Sequence, residues 1–304
     1  LYQITRTKFG RSENRLLRRL LLVAFEENGH HVTGCDPSPA GKIAKRRYGI
    51  PLVPEFFGDG LFSEASFDVV IGRQVLEHIK DPVSFLRSIR RILRRDGLVA
   101  LEVPDVQLWM RYGVIGTFFP EHLSYFSRLS LKNLVTSIGF DIVSMRQRHT
   151  DIFLVARKSE NIEKQTILFD PEELQRISTL LTGYPGKIQR MKTELSALIH
   201  QEKNNGKSIV VYGAGVHTTG LFSLLQLGEK EIDHVIDDNK AVWGKYIPGF
   251  NKAIGSPALL EELDHKYLVI VSGFSYQEEI LHQLEKVRSN QLEVVILYPK
   301  IHLI

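Results

Sequence analysis

One stretch in the first half of the chain sets an imidazole beside a carboxylate, Glu121-His122 in "FFPEHLSYFS", and a second histidine, His78, lies in "VLEHI". A neutral imidazole can take a proton from a weakly acidic centre, and a neighbouring carboxylate can steady it with charge or a hydrogen bond. The last third carries a different constellation, "SIVVYGAGVHTTG", an apolar run entering a Gly-x-Gly turn. Gly213 and Gly215 allow close backbone approach to a phosphate, and the following helix start offers N–H donors and the positive end of its dipole. His217 and Thr218 flank that turn, and Asp237-Asp238 end the next apolar run, placed for ribose or sugar hydroxyls. Asp36 ends "HHVTGCD" in the same manner, and Asp59 in the turn "FGDG" is positioned to meet an adenine amino group.

These residues need strand ends to present them, and the sequence supplies such ends twice. "NRLLRRLLLVAFEENG", "DPVSFLRSIRRILRRDG" and "SRLSLKNLVTSIGF" show apolar residues at helical spacing and stop at glycine. They alternate with "HHVTGCD", "FDVVIG" and "LVALEVP", short apolar runs of the buried parallel-strand kind. "FDIVSMRQRHTDIFLVARK" reads as a closing hairpin. A polar stretch, "SENIEKQ", then marks a boundary, followed by two helices parted by a turn at Tyr184-Pro185-Gly186. The α/β alternation restarts at "SIVVYG", with helices predicted after "AGVHTTG", over "SPALLEEL" and over "YQEEILHQLEKV". The fold class expected is α/β, with two doubly wound Rossmann-like domains joined by a helical linker: residues 1–158, 159–206 and 207–304.

Composition narrows the function classes. With 304 residues, 43% hydrophobic and 24% charged, the chain is long enough for two cored domains. No apolar run approaches the roughly 18 residues of a membrane span, and no leader is visible, so no membrane partner and a cytoplasmic setting are expected. One cysteine, Cys35, excludes an internal disulfide and a multi-cysteine zinc site, and no metal is expected. The net charge of +4 is mild. The arginines of "RLLRRL" and "RSIRRILRRD" recur at helical spacing without interleaved aromatics, which reads as solvated helix faces rather than a nucleic-acid footprint.

The block "SFDVVIGRQVLEHIKDPVSFLRSIRRILRRDGLVALEVPD" resembles the later motifs of class I S-adenosylmethionine-dependent methyltransferases, and "EHLSYFS" resembles the signature of the sugar C-methyltransferases of deoxysugar biosynthesis. The resemblance extends through the C-terminal domain. It implies S-adenosyl-L-methionine as cofactor and a nucleotide-linked keto-sugar as substrate, in surface polysaccharide or deoxysugar biosynthesis. It places His122 as the base for a carbon next to a ketone, Glu121 as its partner and His78 on the same cleft. Gly10, Glu13, Asn14, Asp36, Asp59 and Arg73 become the cofactor-binding positions. Gly213, Gly215, His217, Thr218, Asp237 and Asp238 become those for the nucleotide-sugar.

The likeness has departures. In "KFGRSENRLL", Gly10 alone remains of the first motif's glycines, Asn14 fills a later glycine position, and Lys8 stands where an acid is usual. The family's cysteine-rich zinc-binding segment is absent from this sequence. Phe119 lies ahead of Glu121-His122 where relatives tend to have tyrosine. These departures leave a second reading, a catalytically degenerate sugar-nucleotide binding protein derived from that family. The third glycine, Gly220, comes too late for a dinucleotide fingerprint, which argues against NAD.

Overall fold

The computed structural model describes residues 2–6, 21–37, 46, 49, 51–148, 150–160, 167–261, 266–274, 276–287 and 292–304. The chain divides into two compact units. The first comprises Leu1–Val106 with Pro120–Asp170, and the second Gln107–Phe119 with Pro171–Ile304.

The first unit is built on a seven-stranded sheet in the order β3-β2-β1-β4-β5-β7-β6. Its strands are β1 (Tyr2–Arg6), β2 (His31–Cys35), β3 (Leu52–Val53), β4 (Phe67–Arg73), β5 (Leu93–Pro104), β6 (Phe140–Arg148) and β7 (Asp151–Lys158). The pairs β2/β3 and β4/β5 are parallel. The final hairpin β6/β7 is antiparallel, and β7 runs antiparallel to β5. The helix Pro82–Ile92 starts where the sequence says it should: Asp81 accepts from Ser84 N at 3.0 Å, and Pro82 occupies the first turn, where its missing N–H costs nothing. Phe85, Leu86, Ile89 and Ile92 are buried against the sheet, each contributing about 1.5–3 kcal/mol. Arg90 reaches from the same helix to the carbonyls of Gly139 and Ser159, so this basic residue ties elements together rather than awaiting an anionic polymer. The helix Arg128–Ser137 is closed at its start by a reciprocal Ser127–Ser130 capping box.

β1 departs from expectation in its direction. It pairs antiparallel with both neighbours, Arg6 lying opposite His31 at the start of β2 and Thr5 opposite Val69 near the start of β4. It therefore leaves the sheet at the edge opposite Asp36 and Arg73, whereas a cofactor-loop strand would run into their edge. Gly10, Glu13 and Asn14 lie outside the described residues.

The second unit has a five-stranded sheet in the order β14-β13-β12-β8-β9. β8 (Ser208–Tyr212), β9 (His234–Ile236), β12 (Tyr267–Val271) and β13 (Leu292–Ile296) are parallel, and β14 (His302–Leu303) is antiparallel at the rim. β10 (Tyr246–Ile247) and β11 (Phe250–Ala253) form a separate small hairpin in the segment expected to be loop. "SPALLEEL" yields a short 3₁₀ turn, Pro257–Glu261, in place of the expected helix.

The expected turn at Tyr184-Pro185-Gly186 is absent. A single 34-residue helix, Pro171–Asn204, runs through it. Proline removes one intrahelical hydrogen bond and crowds the preceding turn. What outweighs this is tertiary: Tyr184 is buried, donates its hydroxyl to Val114 O at 2.8 Å, and meets Phe118 edge-on. Farther along, Met191, Leu195 and Ile199 enter the core of the second unit, so this helix is a structural part of that unit.

Segment 107–119 is held in the same core. Ile115 N–H donates to the Tyr298 hydroxyl at 2.8 Å, and the Ile115 carbonyl accepts from His217 Nδ1 at 2.7 Å. The helix Val216–Leu224 passes so close that a Cβ on Gly220 would lie 2.4 Å from Ile115 Cγ2. The late glycine that fits no dinucleotide fingerprint is thus a packing glycine. Gly220→Ala is expected to lower unfolding free energy by about 1–3 kcal/mol in urea titrations, as overpacking a full core does. An unchanged midpoint would show that the contact relaxes freely.

Candidate active site

β4 delivers its carboxyl end into a left-handed turn at Gln74, with φ of 51°. Gln74 tolerates it because both ends of the residue are tied: its N–H donates to Glu102 O at 2.8 Å, and its amide to Asp151 Oδ2 at 2.9 Å. The turn throws the chain into a short 3₁₀ segment, Leu76–His78. From there the Glu77 carbonyl accepts two backbone donors, Leu123 N at 2.8 Å and Ser124 N at 3.1 Å. His78 Nδ1 donates to the Glu121 carbonyl at 2.7 Å. His122 sits between these anchors, its neighbours on both sides fastened to one turn of chain. Its ring lies 4.8 Å from that of His78, edge-on, and 6.0 Å from that of Tyr125.

A carbonyl can only accept, so the Glu121 contact fixes the proton of neutral His78 on Nδ1 and leaves Nε2 as an acceptor. That nitrogen is 4.0 Å from Glu77 Oε1. Ligand-type atoms of Glu77, His78 and His122 all lie within 4.8 Å of one another. Burial holds the His122 imidazole down to about 4, with the neighbouring His78 adding to the effect. His122 is therefore neutral, with a proton-accepting nitrogen, at ordinary pH. Glu121 meets the site through its backbone carbonyl, the contact with His78.

Sequence reasoning missed Glu77 as a group of interest. Its side chain is 1% exposed, and among the described residues neither carboxylate oxygen has a well-formed hydrogen bond, only the weak pull of the backbone at Glu77 and Val75. Burial pushes the group up to about 7. Asp151, at the start of β7, behaves alike: burial first, then Glu102, raises it to about 7. Nothing in the string "LEHI" marks the acid as buried; that follows only from the turn folding back against β5 and the histidine loop.

The cofactor positions divide. Asp36 is buried at the carboxyl end of β2, where its N–H bonds Val53 O, a setting suited to a ribose diol. Arg73 is committed to Glu102 in an ion pair. Asp59 is an exposed residue that accepts from Ser88 Oγ at 2.6 Å and lies 3.7 Å from Arg91, so it ties its loop to the helix Pro82–Ile92.

In the second unit, the ends of β8, β9 and β12 border a cavity of about 530 Å³, lined by Gly213, Gly215, His217, Asp237 and Asp238 among others. It lies where the strand order reverses around β8, the switch point at which open α/β sheets bind ligands. Thr218 corrects the expectation for it. The residue is fully buried, and its hydroxyl is engaged by Gly213 O and Ser272 Oγ, leaving nothing for a ligand.

The buried carboxyl of Glu77 sets a pH dependence of stability. Its folded value, about 7, stands above the ordinary 4.5, so its stabilisation is complete below about 4.5 and is lost as pH rises toward 7. Glu77→Gln keeps the shape without the charge. It is expected to raise unfolding free energy at pH 8 by on the order of 2–3 kcal/mol, with the gain shrinking toward pH 5. Parallel pH–stability curves for the two proteins would contradict the assignment.

A family described as a methyltransferase domain matches residues 18–145, and one described as the C-methyltransferase C-terminal domain matches 154–299. The C-methyltransferase NovU of Streptomyces niveus is 24% identical over 293 residues, spanning 92% of this chain and 70% of that protein. A Mycobacterium tuberculosis protein named "Probable S-adenosylmethionine-dependent methyltransferase" is 33% identical over 82 residues, 27% of this chain and 30% of its own length. Among solved structures, Burkholderia thailandensis 1,6-didemethyltoxoflavin-N1-methyltransferase, with 1,6-didemethyltoxoflavin and S-adenosylhomocysteine bound, matches at 22% identity and a TM-score of 0.37, over 48% of this chain and 68% of that one. The chain thus joins a methyltransferase domain to the C-terminal domain of the C-methyltransferases.

Proposed function

We propose that the chain methylates a carbon adjacent to the ketone of a nucleotide-activated sugar, in deoxysugar or surface-polysaccharide assembly, with His122 as the base. The observation carrying this reading is the seating of His122: neutral at ordinary pH, in a fixed loop, beside a second histidine whose tautomer is set. S-adenosylmethionine supplies, when bound, a methyl group on a sulfonium whose leaving thioether is neutral and needs no acid. Within the first unit Asp36 is the described residue that fits it, as the acceptor for ribose hydroxyls.

Such a methyl donor leaves the protein with the acceptor's problem. A carbon beside a carbonyl becomes nucleophilic once its C–H electrons pass into an enolate, and a positioned base of suitable protonation state takes the proton. His122 takes it at its unprotonated ring nitrogen. Its edge-on contact with His78 places an acceptor nitrogen, His78 Nε2, in the same cluster. Glu121 fixes His78 through its backbone carbonyl, which makes it a positioning residue in this arrangement. The printed activity of NovU, C-methylation, and the match to the C-terminal domain support carbon over oxygen as the acceptor.

Proton abstraction can be observed apart from methyl transfer. Incubated in D2O with a nucleotide-linked keto-sugar and no S-adenosylmethionine, the protein is expected to wash deuterium into the carbon beside the ketone. His122→Ala should lose that exchange and about 10²–10⁴-fold in turnover, while its calorimetric affinity for S-adenosylhomocysteine stays unchanged. Exchange that persists in the variant would remove His122 from the role of base. Loss of cofactor affinity along with exchange would make it structural.

A further inference from the structure

The cavity of the second unit has the outline of a phosphate site and the wrong charge for one. Its glycine loop, Gly213 to Gly215, leads into the helix Val216–Leu224, and Gly213 holds a φ of 104° that only glycine adopts readily. In a phosphate cradle the loop's N–H groups would point at an anionic oxygen. Here the Ala214 N–H already has an anionic acceptor belonging to the protein: Asp237 Oδ2, at 2.8 Å. The other oxygen, Oδ1, accepts from Asn239 N at 2.8 Å, and the Asp237 carbonyl accepts from Trp243 Nε1 at 2.7 Å. Each carboxylate oxygen thus holds a backbone N–H, and the backbone of the same residue is anchored by Trp243.

The remaining walls reinforce this. Asp238 and Glu279 line the cavity with Asp237, and no lysine or arginine does among the described residues. The one imidazole in the lining, His217, is pushed below its usual range by burial, and its Nδ1 is engaged by Ile115 O. A diphosphate would bring two or more negative charges to three carboxylates with no cation to offset them. Like charges brought close together repel, and nothing in the lining offsets that repulsion. Hydroxyl groups face the opposite balance, since ionised carboxylates are pure acceptors. Asp238 Oδ1 takes the Tyr212 hydroxyl at 2.9 Å, which orients the group, and Asp238 itself is exposed at the mouth. Across the cavity the Tyr276 side chain, 69% exposed, and the adjoining Ile280 offer a flat and an apolar surface.

We infer that this cavity takes the uncharged nucleoside part of a nucleotide-sugar, with Asp238 accepting its sugar hydroxyls and Tyr276 facing its base, and that the diphosphate lies away from the glycine loop. The inference rests on the reading of the substrate as an activated sugar and sharpens it. Asp237 closes the loop, and in doing so it turns a generic anion cradle into a site for neutral, hydroxyl-bearing ligands.

Titration calorimetry of the full chain tests it, with uridine, thymidine, their diphosphates, UDP-glucose, dTDP-glucose and pyrophosphate as probes. A nucleoside is expected to bind on its own, pyrophosphate should fail to displace it, and Asp238→Ala should weaken it about tenfold, the scale of one lost charge-assisted hydrogen bond. Asp238 is exposed, so the variant removes little packing. Displacement of the nucleoside by pyrophosphate, or an Asp238→Ala affinity equal to wild type, would overturn the inference. Binding of the diphosphates or nucleotide-glucoses with no binding of either nucleoside would overturn it while leaving the activated-sugar reading standing. Silence from every probe would overturn both.

Discussion

The carbonyl of Glu77 is the acceptor on which the first unit's site depends. It takes two N–H groups of the histidine loop, and the adjoining His78 ring donates to the carbonyl of Glu121. Three hydrogen bonds of this kind contribute about 0.5–1.5 kcal/mol each, the same order as the few kcal/mol expected for burying the Glu77 carboxylate. The arrangement holds because the same short turn does both things. A strand that ended one residue earlier would leave Glu77 in solvent and His122 on an untethered loop. Placing His122 on a loop and its anchors on a strand end gives the ring a fixed direction without a regular element to carry it.

Much of this architecture was legible in the residues. Asp81-Pro82 and Ser127 start helices where their chemistry requires, Gly139 ends one with a φ of 89°, and the buried run "FDVVIG" is a central strand. Local rules govern those places and tertiary forces do not oppose them. Tyr184-Pro185-Gly186 shows the opposite case, where local turn chemistry lost to the burial of one tyrosine and the core contacts of the helix beyond it. The direction of β1 was equally illegible, because a polar segment such as "YQITR" satisfies a sheet edge-to-edge in either sense and only its hydrogen-bond register decides. Of the site, the histidines were readable by type, whereas the burial of Glu77 and Asp151 and the tautomer of His78 depend on contacts between strand ends far apart in sequence.

The family match settles the class of chemistry, yet the chain's own departures still shape how it is done. Phe119 offers no hydroxyl where a phenol is usual, and the rings nearest His122 are His78 and Tyr125. A developing negative charge on a substrate oxygen must then be met by groups other than residue 119. The chain passes from the second unit into the first between Phe119 and Pro120, just ahead of the Glu121-His122 pair. Within the second unit residues 114 and 115 are fastened by Tyr184, His217 and Tyr298, and within the first Leu123 and Ser124 are fastened by Glu77.

Glycine patterns invite a ligand reading, and the second unit shows why they must be read together with the nearest acid. Gly220 is required by Ile115, and a Cβ on Gly213 would lie 2.9 Å from Ser272 Oγ, so both are demanded by the protein's own packing. A glycine reports only that something comes close; it does not report whether that something is ligand or chain. The carboxylate is less ambiguous, because its charge and its two acceptor oxygens must be satisfied somewhere. Asp237 is satisfied by the loop itself and Asp238 only in part, by Tyr212. Two adjacent residues of one type thus have different tasks, one shaping the loop and the other facing the cavity, and the difference is decided by which backbone N–H lies within reach of each.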